Sequence, residues 1–237
     1  MPDYYYYNGS NDNSSRRFMA NVPTVTRNLI IINVIVFIAT LINQEFMYAT
    51  FAMFYPASQY FHSWQIVTHM FMHGGFWHIL FNMYTLWMFG SVLERMIGEK
   101  KFLIFYFVCG LGAAALHTGV EYLQAQEFLK AMAEGSTTAA QSYAQLKMTP
   151  TLGASGAIYG VIIGYAMLFP ESKLTLLFPP VTLSAKWMVI IFAAAELLFG
   201  ITGTVVSVAH FAHLGGMLFG WLLIKYWRKK GTLFDRN

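Results

Sequence analysis

Two polar residues inside long apolar stretches, Ser155 and His213, have the side chains of a nucleophile and a base. A serine hydroxyl is a weak nucleophile until a base takes its proton, and a histidine within hydrogen-bond distance is the usual base. Polar side chains are costly in apolar spans unless they face an interior or a wet cavity. The two residue types therefore indicate nucleophilic catalysis, provided that the fold brings Ser155 and His213 together.

A further polar pair, His78 and Asn82, is four residues apart and so shares one face of a predicted helix. Both side chains can donate hydrogen bonds to a developing oxyanion, which makes them candidates for an oxyanion hole. The usual third member of such a site is an aspartate that orients the imidazole. The aspartates of this chain, at positions 3, 12 and 235, all lie in the terminal segments. We therefore predict a dyad of Ser155 and His213, in which packing against Tyr159 holds the imidazole ring.

The composition predicts an integral membrane protein. Hydrophobic residues make up 57% of the chain and charged residues 11%, against about 25% charged residues in an average globular protein. The apolar residues cluster into stretches close to the roughly 20 residues that a membrane-crossing helix needs. We predict an all-α, polytopic membrane protein with a bundle of six transmembrane helices, at residues 28–44, 77–97, 102–118, 152–169, 187–203 and 205–225.

The distribution of lysine and arginine predicts the orientation of these spans. Of the 15 basic residues, only Lys130 and Lys147 fall in the segments that would lie on the outer side. The positive-inside rule therefore places both termini in the cytoplasm. In this topology the second, fourth and sixth spans start at the outer face, and their polar residues lie within about 12 Å of it, at roughly 1.5 Å per residue. We expect a polar cavity that opens outward.

Glycines at four-residue spacing follow the two candidate catalytic residues. This spacing lets helix backbones approach closely, and contact between the two glycine stripes would bring Ser155 and His213 within reach of each other. The candidate packing glycines are Gly156 and Gly160 in the fourth span, and Gly216 and Gly220 in the sixth.

The sequence divides into a membrane domain and two tails. Residues 1–26 are polar and predict a disordered cytoplasmic tail, residues 27–227 form the membrane domain, and residues 228–237 form a short basic cytoplasmic tail. The basic tails favour a bacterial inner membrane. The alanine-rich linker at residues 119–150 has no role that the sequence reveals.

Four motifs, in order along residues 60–227, resemble those of the rhomboid family of intramembrane serine proteases. The matching residues are His69, His73, His78 and Asn82 for H-x(3)-H-x(4)-H-x(3)-N, Glu94, Arg95 and Gly98 for E-x-x-x-G, Gly153, Ala154, Ser155 and Gly156 with Tyr159 following for G-x-S-G, and Ala212, His213, Gly216 and Gly220 for A-H-x-x-G-x-x-x-G. One departure is Trp64-Gln65, where family members often have Trp-Arg. This departure leaves open how the first loop, residues 45–76 between the first and second predicted spans, is anchored.

The resemblance implies a six-helix protease that cleaves single-pass transmembrane proteins in the bilayer, near its outer face. Ser155 would be the nucleophile and His213 the general base and acid. His78, Asn82 and the Ser155 backbone N–H would form the oxyanion hole. Neither a cofactor nor nucleic acid is expected as a partner.

Other polar residues have less specific interpretations. His69 and His73 are four residues apart, but neither is followed by the glutamate of H-E-x-x-H, so we expect them to hold the first loop and expect no metal. His210 could support His213 or only face the cavity, Glu94 lies at the inner end of the second span, and Glu196 has no evident partner. Two alternative functions stay open at this point: a catalytically inactive rhomboid-like protein that binds membrane helices, and a transporter with a polar cavity.

Overall fold

The computed structural model of the chain describes residues 22–176, 180–203 and 210–235, and these ranges are mostly helical. The predicted tail of residues 1–26 lies largely outside the described residues, as does the predicted start of the sixth span at residues 205–209. The first helix begins at Thr24, so residues 24–26 are helical and do not belong to a disordered tail.

The described residues contain ten α-helices and one two-stranded antiparallel sheet. The helices are α1 (Thr24–Ile42), α2 (Gln44–Phe51), α3 (Gln65–Thr68), α4 (Phe76–Thr85), α5 (Ser91–Ile97), α6 (Glu99–Ala133), α7 (Thr137–Met148), α8 (Ser155–Leu168), α9 (Ala185–Thr202) and α10 (His210–Lys229). The strands β1 (Lys173–Thr175) and β2 (Thr182–Ser184) pair antiparallel, with Leu174 opposite Leu183. A 3₁₀ turn, His69–Phe71, follows α3, and a π-helical turn, Leu86–Gly90, joins α4 to α5.

Three of the described helices, α1, α6 and α9, are long and apolar enough to cross a membrane. Helix α8 is apolar but has only 14 residues. The predicted count of six spans is therefore not established by length and composition, and it stays a prediction. The six predicted segments correspond in position to α1, the continuous stretch from α4 to α5, and helices α6, α8, α9 and α10.

The predicted linker at residues 119–150 is largely a helical hairpin. Helix α6 continues through it to Ala133, and after a turn α7 runs from Thr137 to Met148. Alanine has the highest intrinsic helix propensity, and the Ser136 side chain caps α7 by accepting a hydrogen bond from Ala139 N. We call residues 117–149 the α6–α7 hairpin.

The start of α1 depends on a residue that lies far away in the sequence. The buried Glu94 carboxylate on α5 accepts hydrogen bonds from Val25 N at 2.9 Å, Thr26 N at 2.7 Å and Thr26 Oγ1 at 2.7 Å. A carboxylate at a helix N-terminus satisfies free backbone N–H groups and complements the helix dipole. Glu94 thus fixes α1 against the C-terminal end of the α4–α5 stretch.

Gln65, the residue that departs from the rhomboid-like pattern, anchors the first loop through hydrogen bonds of its side-chain amide. Its side chain is fully buried, and Nε2 donates to the carbonyls of Tyr60 at 2.9 Å and Ala49 at 3.2 Å, while Oε1 accepts from His62 N at 3.1 Å. A neutral amide matches these backbone groups, because it donates and accepts at once. The loop is anchored without an arginine.

The first loop also contacts the segment that precedes α8. His69 Nδ1 lies 2.8 Å from Gln65 O, and the His69 carbonyl accepts a hydrogen bond from Gly153 N at 3.0 Å. Burial lowers the pKa of His69 to about 4, so this imidazole is neutral at neutral pH. The structure therefore places His69 as a link between the loop and the residues just before Ser155.

Helices α6, α8 and α10 form the centre of the bundle, where glycines allow close contact. A Cβ atom at Gly216 would lie 1.8 Å from Gly156 O, and one at Gly220 would lie 3.1 Å from Gly160 O. On the α6 side, a Cβ at Gly156 would meet Ala113 Cβ at 2.4 Å. The two predicted glycine stripes are thus in contact, and they leave no room for side chains.

We predict that Gly216→Ala destabilises the protein, because the new methyl group would overlap the Gly156 backbone, which cannot rotate away. The expected loss is about 1–3 kcal/mol in the free energy of unfolding. Thermal unfolding in detergent can be followed with a dye that fluoresces on reaction with the buried thiol of Cys109. Gly119→Ala is the matched control, since a Cβ at Gly119 meets nothing within 4 Å. Equal melting temperatures for the two variants would contradict the prediction.

Candidate active site

Ser155 is the first residue of α8, at the end of a turn that needs glycine. Gly153 has a φ of +135°, which residues with a side chain rarely adopt, and a Cβ there would lie 2.9 Å from His78 Nε2 and 3.5 Å from Ser155 Oγ. The turn therefore lets the His78 imidazole and the Ser155 hydroxyl approach the same point of the backbone. Position 153 tolerates no larger residue without strain.

Ser155 and His213, the two predicted catalytic residues, are in direct contact. His213 Nε2 lies 2.8 Å from Ser155 Oγ, across 58 residues of sequence. The Tyr159 ring stacks on the His213 ring, with a centroid distance of 4.2 Å and an interplanar angle of 8°. The geometry is that of a serine hydroxyl facing a base, with an aromatic ring that fixes the plane of the imidazole.

A carboxylate lies on the other side of His213, contrary to the sequence-based expectation of a dyad without an acidic neighbour. Glu196 Oε1 is 2.9 Å from His213 Nδ1, and the Tyr159 hydroxyl donates to the same oxygen at 2.5 Å. Glu196 Oε2 is 2.6 Å from His210 Nδ1. The expectation was wrong because it considered only aspartates and had no partner for Glu196. A glutamate deep in an apolar span requires polar partners, and the nearby histidines of the sixth span were the available signal.

His78 and Asn82 lie in the wall of the same cavity as Ser155 and His213. His78 Nδ1 accepts a hydrogen bond from Gly74 N at 3.4 Å, so its proton is on Nε2, the atom near Gly153. Asn82 Nδ2 lies 3.0 Å from His73 Nε2. Both predicted oxyanion donors thus have a second contact that orients them.

His73 supports Asn82 from behind. Its side chain is fully buried, and burial, with a smaller contribution from nearby His78, lowers the pKa of His73 to about 3. The imidazole is therefore neutral at neutral pH, and its Nε2 can accept an Asn82 N–H. One amide proton of Asn82 is held in this way and the other is left for the cavity.

The cavity has a volume of about 970 Å³, within the range of ligand-binding pockets. Its lining includes the aromatic rings of Trp77 and Phe81 on α4 and of Phe192 on α9. It also includes polar side chains of the α6–α7 hairpin, namely Glu121, Gln124, Ser142 and Gln145. The cavity thus extends from the Ser155–His213 pair along the hairpin. Among the described residues, no group of three His, Cys, Asp or Glu side chains could hold a metal ion.

Comparison with known proteins links this geometry to one family. The sequence pattern of the Rhomboid domain matches residues 60–230. The chain is 30% identical over 165 residues to Rhomboid protein 1, mitochondrial, of Saccharomyces cerevisiae, over 68% of this chain and 42% of that protein. It is 32% identical over 177 residues to Presenilin-associated rhomboid-like protein A, mitochondrial, of Danio rerio, over 71% of this chain and 40% of that protein.

A bacterial relative is more distant. Rhomboid protease GlpG of Yersinia pestis is 26% identical over 182 residues, which cover 75% of this chain and 52% of that protein. The chain therefore spans about half or less of the length of these curated relatives.

We predict that a fluorophosphonate probe labels Ser155 in the detergent-solubilised protein, because the base at Nε2 activates the hydroxyl. Ser155→Ala should reduce labelling to background, and His213→Ala should slow it by at least about 1000-fold. Ser142→Ala is the matched control, because Ser142 lines the same cavity and has no described contact with a histidine. Labelling of the Ser155→Ala protein at the unmodified protein's rate would show that Ser155 is not the nucleophile.

Proposed function

The chain belongs to the rhomboid family and is an integral membrane protein, and from this premise we propose that it is a serine endopeptidase that cleaves single-pass transmembrane proteins near the outer face of the bilayer. The observation that carries the proposal is the 2.8 Å contact between Ser155 Oγ and His213 Nε2 in the wall of a cavity that polar and aromatic side chains line together. A catalytically inactive protein that only binds membrane helices would not require a serine hydroxyl beside a base. A transporter gives no reason for a hydroxyl aligned with an imidazole nitrogen.

In the proposed reaction, Ser155 Oγ attacks the scissile carbonyl while His213 Nε2 takes the hydroxyl proton. The oxyanion of the tetrahedral intermediate is stabilised by N–H groups of His78, Asn82 and the Ser155 backbone. His213 then gives its proton to the leaving amine, and the C–N bond breaks. A water molecule from the cavity attacks the acyl-enzyme with His213 as base, which releases the new carboxyl terminus and restores Ser155.

We propose that six segments cross the bilayer, namely α1, the α4–α5 stretch, α6, α8, α9 and α10, with both termini on the cytoplasmic side. The substrate helix reaches Ser155 between α4 and α9. Trp77 and Phe81 support this route, since they are 66% and 60% exposed and line the cavity from α4. Substrate backbone must unwind there, and cavity water and protein groups must satisfy its polar atoms, which favours small, helix-destabilising residues at the cleavage site.

The names of the relatives indicate different membranes. Two of the three relatives described above are mitochondrial by name, and the bacterial one is the least similar of the three. The bacterial inner membrane expected from the basic tails therefore has no support. We assign the protein to a membrane and not to a particular organelle or organism.

The proposed function predicts cleavage of a single-pass substrate by the protein in liposomes. Ser155→Ala should abolish cleavage, and Asn82→Ala should lower kcat by about 100- to 1000-fold, the usual cost of losing one oxyanion donor. Fragments are quantified by gel electrophoresis and their new termini by mass spectrometry. Cleavage that persists in Ser155→Ala would refute the proposal, and an unchanged kcat in Asn82→Ala would remove this residue from the oxyanion hole.

The cavity lining predicts that the α6–α7 hairpin holds a polar substrate segment outside the membrane. Gln124→Ala removes a hydrogen-bonding group from the cavity wall and should raise KM about 2- to 10-fold, the value of one hydrogen bond. Gln126→Ala is the matched control, because Gln126 is exposed on the same helix and does not line the cavity. Equal KM values for the two variants would contradict this role of the hairpin.

A further inference from the structure

We propose that Glu196 is the positioning residue for His213, and that the docking of α9 against α8 and α10 controls this positioning. The inference rests on the proposed function, since it assumes that His213 is the base. It deepens that function by adding an acidic group that acts through His213, and by connecting the chemistry to a helix at the proposed substrate route.

The contacts of Glu196 determine which nitrogen of His213 carries a proton. A carboxylate only accepts hydrogen bonds, so the 2.9 Å contact with Oε1 requires a proton on His213 Nδ1. The neutral imidazole then has its lone pair on Nε2, the atom 2.8 Å from Ser155 Oγ. This is the tautomer that a general base for Ser155 needs.

Stacking on Tyr159 cannot do this alone. A parallel ring fixes the plane of the imidazole, but it leaves the tautomer and the rotation within that plane free. The Glu196 carboxylate fixes both, since it makes a directional bond to one ring nitrogen. The Tyr159 hydroxyl, 2.5 Å from Oε1, and His210 Nδ1, 2.6 Å from Oε2, hold the carboxylate itself.

The carboxylate also matters after proton transfer. When His213 takes the Ser155 proton it becomes an imidazolium in apolar surroundings, where an isolated charge is costly. A carboxylate at 2.9 Å from Nδ1 stabilises this ion and so lowers the barrier to nucleophilic attack. Glu196 does not touch the substrate, and it keeps its role throughout the reaction.

Helix α9 delivers this carboxylate, and the outer part of α9 has few other anchors. The buried residues of α9 are Ala185, Met188, Val189 and Glu196, so Glu196 is the one buried residue from position 190 to the end of the helix. Ile190, Leu198 and Ile201 are more than half exposed, as expected of side chains that face lipid. The polar contacts of Glu196 therefore join this half of α9 to α8 and α10, together with the packing of Gly200 against Phe211 and of the Phe199 ring against the His210 ring.

A displacement of α9 that admits a substrate helix would withdraw Glu196 from His213. The catalytic unit would then be complete only while α9 is docked. Access and catalysis would alternate, and a protein with a displaced α9 would have a poorly oriented base. This arrangement limits reaction at Ser155 to substrates around which α9 has closed.

The test uses the fluorophosphonate labelling rate of the full-length protein, because a small probe needs no lateral opening. Glu196→Gln should slow labelling by about 10²- to 10⁴-fold, the upper value being typical when the orienting acid of a serine protease is replaced by its amide. Glu134→Gln, which changes an exposed glutamate on the α6–α7 hairpin, should label at the unmodified protein's rate. An unchanged rate for Glu196→Gln would overturn the proposal.

The pH profile of labelling separates positioning from a structural role. The titratable groups that face His213 are Glu196 from α9, Tyr159 from α8, His210 from α10 and His78 from α4. Loss of the carboxylate should move the acidic limb of the profile to lower pH, because the imidazolium loses its counter-charge. A structural role would lower the rate and leave the limb in place, which would overturn the proposal. If Glu196→Gln does not fold, ¹⁵N NMR of the His213 imidazole in the unmodified protein takes its place: a neutral ring with its proton on Nδ1 is expected, and a neutral ring with its proton on Nε2 would overturn the proposal.

A separate variant tests whether labelling at Ser155 depends on the docking of α9. A Cβ at Gly200 would lie 3.1 Å from the Phe211 ring and 3.3 Å from His210 Cβ, so Gly200→Leu should push α9 away from α10 and slow labelling at least tenfold. Ile201→Phe is the control, since Ile201 is 71% exposed. Equal rates would overturn the link to α9. The proposed function is tested separately, by whether Ser155→Ala abolishes the labelling of the unmodified protein. If it does, the proposed function stands whatever the variants of α9 show, so the two hypotheses can fail independently.

Discussion

The backbone contact between Gly156 and Gly216 is the constraint on which the rest of the site depends. Lipid offers no hydrophobic driving force between helices, so close packing and polar contacts must hold a membrane bundle together. A Cβ at Gly216 would overlap Gly156 O at 1.8 Å, so the two backbones touch directly. Ser155 precedes Gly156 and His213 lies about one turn before Gly216, so this contact brings the hydroxyl and the imidazole to 2.8 Å.

The polar residues around the pair depend on one another because neither lipid nor packed protein offers them water. Each one described here has a partner: Glu196 bonds Tyr159, His210 and His213, Asn82 bonds His73, and Gln65 bonds the backbone of the first loop. A polar group without a hydrogen-bond partner in hydrocarbon costs on the order of several kcal/mol. The site is therefore a set of hydrogen-bonded groups around a cavity, in which His73 Nδ1 is a buried atom without a partner, and each bond limits the orientation of its neighbours.

The sequence alone predicts those features of the site whose residues lie close together in the chain. The stripes of Gly156 and Gly216 and the positions of Ser155 and His213 follow from local motifs and a common depth in the membrane. Two features required three-dimensional information. Helix α1 starts at Thr24 because Glu94, 68 residues away from Thr26, caps it. Glu196 contacts His213 because of the rotation of α9 about its axis, which an apolar sequence with little periodicity does not encode. The α6–α7 hairpin does not follow from the sequence alone, because an alanine-rich, mildly charged stretch between apolar spans is typical of a linker as well as of a helix.

The bundle consists of two parts with different packing. Helices α6, α8 and α10 meet through glycines and small residues, and any added atom there meets backbone or a packed side chain, so their relative positions are fixed. The C-terminal half of α9, from position 190, has one buried residue, and that residue is a carboxylate. The proposed nucleophile and base thus lie on the closely packed part, and the carboxylate that contacts the proposed base lies on the helix beside the proposed substrate route.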